Sequence, residues 1–100
     1  MRQRTLEVGG VERTYHVSVP ANTTGALPVI VALHGKGDNG RDFLAGTGLH
    51  RARAIVAAPT GAGLAWAPAP YARTTFEEDA AFVRVLIDDL RSTFATGNTL

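Results

Sequence analysis

The sequence predicts an α/β domain built on a largely parallel sheet. Two short runs that are apolar on both faces, residues 28–33 and 54–58, read as strands covered by helices on either side. A long amphipathic helical pattern follows the second run. Strands alternating with helices need crossover connections, which lay the strands parallel and the helices over the sheet.

The first element is a β-hairpin over residues 5–19. Gly9-Gly10 supplies the tight turn, where positive φ costs glycine little. Beyond it Val11, Tyr15, Val17 and Val19 share one face, and Glu12, Thr14, His16 and Ser18 share the other. Arg13 interrupts the apolar face, so that face is not expected to be fully dry at that end, while His16 is expected in solvent. Pro20 closes the strand, and Ala21-Asn22-Thr23-Thr24-Gly25 reads as a surface loop.

The run Pro28-Val29-Ile30-Val31-Ala32-Leu33 ends abruptly in His34-Gly35-Lys36-Gly37-Asp38-Asn39-Gly40. A short helix is expected over residues 41–44, and His50 lies in a connection expected at the surface. Residues 59–74, with Pro59, Pro68, Pro70, Gly61 and Gly63 around Trp66, read as an irregular surface loop long enough to suggest a function. Thr75 with Glu78, or Thr74 with Glu77 one register earlier, forms a capping-box pattern at the start of the last helix. Glu77, Glu78 and Asp79 suit the positive end of its dipole. Phe82, Val83, Leu86, Ile87, Leu90 and Phe94 form its apolar stripe, and Arg84, Asp88, Asp89 and Arg91 its solvent side. Gly97 is the expected stop. A further parallel strand should follow such a helix, so the sheet is expected to be incomplete within these residues.

A chain of 100 residues accommodates one small domain. A net charge of +1, with Lys36 the sole lysine, gives no pull toward nucleic acid or an acidic membrane. The cysteine count is 0, which removes disulfides, thiolate metal sites and a cysteine nucleophile. The basic start is followed by no apolar stretch of signal-peptide length, and residues 27–33 are far too short to span a bilayer, so no membrane association is expected and the compartment stays open.

The glycine loop lacks the spacing of a phosphate loop. Asp38, Asn39 and Asp42 lack the EF-hand pattern, and Asp88-Asp89 on a solvent face makes a poor metal site. Only Ser18 and Ser92 offer a hydroxyl nucleophile of the serine type, and neither stands on a strained turn beside a base. Trp66, with Pro68, Pro70 and Tyr71, admits two readings: a wall of a substrate cleft, or a ring packed against the loop's own prolines. Thr99 in Gly97-Asn98-Thr99-Leu100 faintly mimics G-x-S, but reads better as a turn leading into the next strand.

Val29-Ile30-Val31-Ala32-Leu33-His34-Gly35 resembles the third strand of α/β-hydrolases and its His-Gly turn. Arg13-Thr14-Tyr15-His16-Val17-Ser18-Val19-Pro20, Ala45-Gly46-Thr47-Gly48-Leu49, Ala57-Ala58-Pro59-Thr60-Gly61, Trp66 and Glu78-Asp79-Ala80-Ala81-Phe82-Val83 are similar, in that order, to segments of the polyhydroxybutyrate depolymerase-like and feruloyl-esterase-like branch. Residues 12–94 carry the resemblance. It implies that residues 1–100 are a single partial α/β-hydrolase domain, the N-terminal part of the fold: a β-hairpin, then parallel strands with crossover helices, ending before the G-x-S-x-G nucleophile elbow. It further implies a serine-type carboxylic ester hydrolase working through an acyl-enzyme, without cofactor or metal, on hydroxyalkanoate oligomers or aromatic esters.

In that family pattern the residue after His-Gly lends a backbone N–H to the oxyanion. Here that residue is Lys36, flanked by Gly35 and Gly37, which allow close approach, with His34 as a structural brace rather than a base. Asp79 serves the helix start. The triad is expected outside these residues, leaving the chain inactive alone. The alternative is a non-catalytic remnant or a small binding domain.

Overall fold

The computed structural model of the chain describes residues 1–21, 25–94 and 96–99, residues 98 and 99 through their backbone only. Strands β1 (Arg2–Val8) and β2 (Val11–Ser18) form the hairpin. Gly9 and Gly10 turn it with φ of 59° and 79°, the left-handed pair that a two-residue hairpin turn requires. Registration of Arg4 with Tyr15 and of Leu6 with Arg13 puts these side chains on one face. Strand β3 (Leu27–Val31) follows, then helix α1 (Gly40–Thr47), strand β4 (Ile55–Pro59), helix α2 (Phe76–Thr93) and strand β5 (Thr96–Thr99). The expected loop over residues 21–25 falls largely outside the described residues.

The sheet is five-stranded and mixed, in the order β1-β2-β4-β3-β5. The hairpin joins antiparallel through β2 to β4, while β3 runs parallel to β4 and to β5. All of β4 is buried, and its side chains divide by the period of two. Ile55 and Ala57 enter a core with Tyr15, Val17, Val29, Phe82, Leu86 and Leu90 beneath α2. Val56 and Ala58 enter a second core with Ala32, Ala54 and Leu44 beneath α1. The sheet is thus covered on both sides, as its central apolar strand demands.

Several details differ from the sequence expectation. Strand β3 ends at Val31 rather than Leu33, and Leu33 is left 48% exposed. The β3–β5 register is irregular between Leu27 and Val29, around Pro28, which has no N–H for the ladder. Helix α1 runs to Thr47, longer than expected; Asn39 caps its start and Gly48, at φ 75°, its end. Helix α2 uses Thr75 with Glu78, both halves of the capping box being formed. Gly97 does not stop α2. The chain turns extended at Phe94, which packs on the core, and Gly97 lies inside β5, a parallel strand where a turn was expected.

Four polar residues take positions set by tertiary partners. Arg13 is 6% exposed, because α2 supplies Asp79 and the Phe82 ring opposite it, while the same face stays open beyond it at Val11, 53% exposed. Asp89 faces β1, where Arg4 grips it in two hydrogen bonds of 2.9 and 3.2 Å and the Tyr15 hydroxyl donates to it. Only Asp88 of that pair faces solvent. His16 and His50 are both half-buried rather than solvated, since α1 and the 3₁₀ turn Leu49–Arg51 cover that side of the sheet.

Candidate functional site

The carboxyl ends of β3 and β4 bring two loops together, one carrying residues 32–39 and the other residues 60–74. Openings beyond the carboxyl ends of parallel strands are where α/β sheets bind ligands. In the first loop the Asp38 N–H donates to the Gly35 carbonyl at 3.2 Å, and Gly37 has φ 82°. That combination is a type II turn with Lys36 at its second position and glycine at its third. The Gly37 N–H donates to the Leu64 carbonyl at 2.9 Å, tying the two loops together.

His34 is 4% exposed and sits under this turn. The Gly61 N–H donates to its Nε2 at 2.9 Å, so Nδ1 carries the proton, 2.6 Å from the Gly35 carbonyl oxygen. The Gly35 oxygen therefore accepts from both His34 and Asp38. A trans peptide directs its N–H opposite to its C=O. Holding the Gly35 oxygen inward turns the Lys36 N–H outward. That N–H meets no acceptor among the described residues, and space around Gly35 and Gly37 is open. The Lys36 side chain lies aside, its ammonium 4.5 Å from the centre of the Tyr71 ring.

Trp66 packs against His34, ring centres 5.4 Å apart, and stacks on Phe82 at 6.3 Å. The ring thus packs on His34 and Phe82, and the loop around it is not purely a surface one, for Gly61 and Ala65 are buried. Trp66 also lines a mainly apolar groove of about 340 Å³ with Leu33, the residue before His34, and with Phe76, Ala80 and Val83, where Asp79 and Arg84 are the charged lining residues. A larger groove, about 420 Å³, lies between the hairpin and the start of α2, away from this turn.

Sequence reasoning did not find the group that fastens the second loop. Asp79 lies one turn before Phe82 on the buried stripe of α2. Its Oδ1 accepts from Arg13 at 3.0 Å, and its Oδ2 accepts from the Ala67 N–H and the Thr74 hydroxyl, each at 2.8 Å. The signal was present as opposite charges interrupting two apolar faces, Arg13 on the strand and Asp79 on the helix. Thr60 and Gly40 were likewise missed: the Gly40 N–H donates to the Thr60 hydroxyl at 2.9 Å, tying the start of α1 to the second loop.

The Asp89 cluster is electrostatically distinct. Hydrogen bonding from Arg4 holds the Asp89 carboxyl below its ordinary range, while burial, reinforced by the Asp89 charge, pushes the Tyr15 phenol up. On the opposite face burial, aided by Arg41, lowers His16, whose Nδ1 has no partner.

Neither serine meets a base. Ser18 donates to the His50 carbonyl at 3.0 Å and Ser92 to the Asp88 carbonyl at 2.6 Å. Among the described residues no cluster of His, Asp and Glu has metal-binding form, and no helix is long and apolar enough to cross a membrane. Thr99 is the last residue of β5, and Leu100 lies outside the described residues. No protein-family model and no curated protein matches the chain.

Proposed function

We propose that the chain supplies the carbonyl-oxygen cradle of a serine-type carboxylic ester hydrolase with the α/β-hydrolase fold, akin to the polyhydroxybutyrate depolymerase-like and feruloyl-esterase-like branch. The observation that carries this reading is the outward, unbonded Lys36 N–H, fixed by two hydrogen bonds to the other end of its peptide. Negative charge grows on the carbonyl oxygen during acyl transfer, and a donor already aimed there stabilises that state without reorganising. The fold supports the reading to the extent that a hairpin leads antiparallel into parallel strands, with the glycine turn at a strand's carboxyl end.

In this reading the apolar groove beside Leu33 and Trp66 receives the acyl or aromatic part of an ester. The attacking serine, its histidine and the acid come from polypeptide outside these 100 residues, because Ser18 and Ser92 are engaged with backbone carbonyls. The chain alone then leaves p-nitrophenyl butyrate unhydrolysed above buffer.

The decisive variants are Lys36→Pro and Lys36→Ala in a reading frame extended through a G-x-S-x-G elbow. Proline suits the second position of a type II turn, so Lys36→Pro deletes the N–H while keeping the turn. It is expected to lower kcat about 10²–10³-fold, the usual effect of losing one oxyanion donor, and Lys36→Ala is expected to have little effect. Equal effects of the two substitutions, or an extended frame with no elbow, would refute the proposal.

A further inference from the structure

The cradle turn is held from below by a relay that begins at a buried carboxylate more than forty positions along the chain. The Asp79 side chain is 9% exposed, and Arg13, which neutralises it, is 6% exposed. Charge balance alone would need only the Arg13 contact at Oδ1. The other oxygen is spent wholly on the Trp66 loop: it takes the N–H of Ala67, next to Trp66, and the hydroxyl of Thr74, where that loop rejoins α2. Trp66 so placed lies between Phe82 and His34, and its indole N–H is buried without an acceptor. No polar contact of its own therefore locates the ring. Its position comes from the backbone that Asp79 holds and from apolar packing, which includes the two rings. His34 in turn donates to the Gly35 carbonyl, on the same peptide plane as the Lys36 N–H.

We infer that Asp79 is a positioning residue for the Lys36 N–H, acting through the Ala67 backbone, the Trp66 ring and His34. The catalytic meaning of this relay rests on the proposed esterase role of Lys36, whereas the relay itself is read without substrate. It distinguishes two duties of Asp79: Oδ1 neutralises a buried arginine, and Oδ2 sets the geometry of the turn.

The two duties separate by substitution in the 100-residue chain. Asp79→Asn keeps an acceptor oxygen for Ala67 and Thr74 but loses the charge facing Arg13. The pair Arg13→Met with Asp79→Leu removes both buried charges, a replacement that apolar packing commonly tolerates, and removes the acceptor as well. Trp66, the sole tryptophan, reports its own burial by fluorescence, and the His34 Nδ1 proton and Lys36 amide are read by NMR.

Asp79→Asn is expected to melt at a lower temperature with all three signals retained. The double variant is expected to be folded by circular dichroism, with Trp66 emission shifted to the red, the His34 proton lost to exchange and the Lys36 amide displaced. A folded double variant with all three signals unchanged overturns the inference, as does a folded Asp79→Asn that loses them. Trp66→Leu tests the last step should the double variant not fold: displacement of the Lys36 amide and loss of the His34 proton support the relay, and their persistence overturns it. None of these outcomes depends on ester hydrolysis, so the relay and the esterase reading fail separately.

Discussion

Asp89 and His16 show how single side chains tie this fold to pH. The Asp89 carboxyl is held below its ordinary value of 3.8 by Arg4 and Tyr15. Its contribution to stability is therefore complete above that value and lost as the pH falls through the lower folded one. His16 is also lowered, from an ordinary 6.5, because burial favours its neutral form. The unfolded chain takes up that proton first, so stability begins to fall below about pH 6.5. Melting temperature measured against pH should show both limbs. His16→Gln should flatten the upper one. Asp89→Asn should flatten the lower one and cost about 1–2 kcal/mol at neutral pH, for the loss of charged hydrogen bonds at a partly exposed site. Gly40 makes a steric point at the same scale. A Cβ there would overlap the Ala58 carbonyl oxygen, because α1 starts directly against β4. Gly40→Ala should destabilise by about 3 kcal/mol in denaturant unfolding, at the upper end of overpacking costs, since the obstacle is backbone rather than a movable side chain.

Among the elements, α2 is the one whose start is specified most locally. Thr75 accepts from the Glu78 N–H at 3.1 Å, and Glu78 accepts from the Thr75 N–H at 2.8 Å. Thr75→Ala breaks the side-chain half of that exchange and should lower stability by about 1 kcal/mol in chemical denaturation. Thr74→Ala tests a different contact, because Thr74 serves Asp79 and not the cap. The stripe of α2 was readable from its spacing, as was the two-glycine hairpin turn. The end of α2 was not: glycine is only one way to stop a helix. Here burial of Phe94 against the core draws the chain into an extended path before Gly97 is reached.

At the scale of the molecule, one buried strand serves two cores. Ile55 and Ala57 of β4 face α2, and Val56 and Ala58 face α1, so neither layer can loosen without exposing the strand they share. Leu44 and Leu86 are each fully buried, on opposite sides. Leu44→Ala and Leu86→Ala should each cost about 2–5 kcal/mol. Both should lower the unfolding midpoint seen by Trp66, although only Leu86 lies on its side of the sheet. A Trp66 transition untouched by Leu44→Ala would show that the two layers unfold independently.

By itself the sequence determined what depends on neighbours along the chain: the Gly9-Gly10 turn, the alternation of β2, the Thr75 cap, the α2 stripe and the glycine turn after β3. Each follows from backbone sterics or from a period of 2.0 or 3.6, which operate over a few residues. Tertiary structure decided which charges are buried, where β5 pairs, and which way the Lys36 N–H points. Arg13 meets Asp79 and Arg4 meets Asp89 only after the hairpin lies on α2, and His34 meets Gly61 only once β3 and β4 are side by side. Such partners are far apart in the chain, and a polar side chain's cost or benefit is set by the group that arrives opposite it rather than by its own spacing.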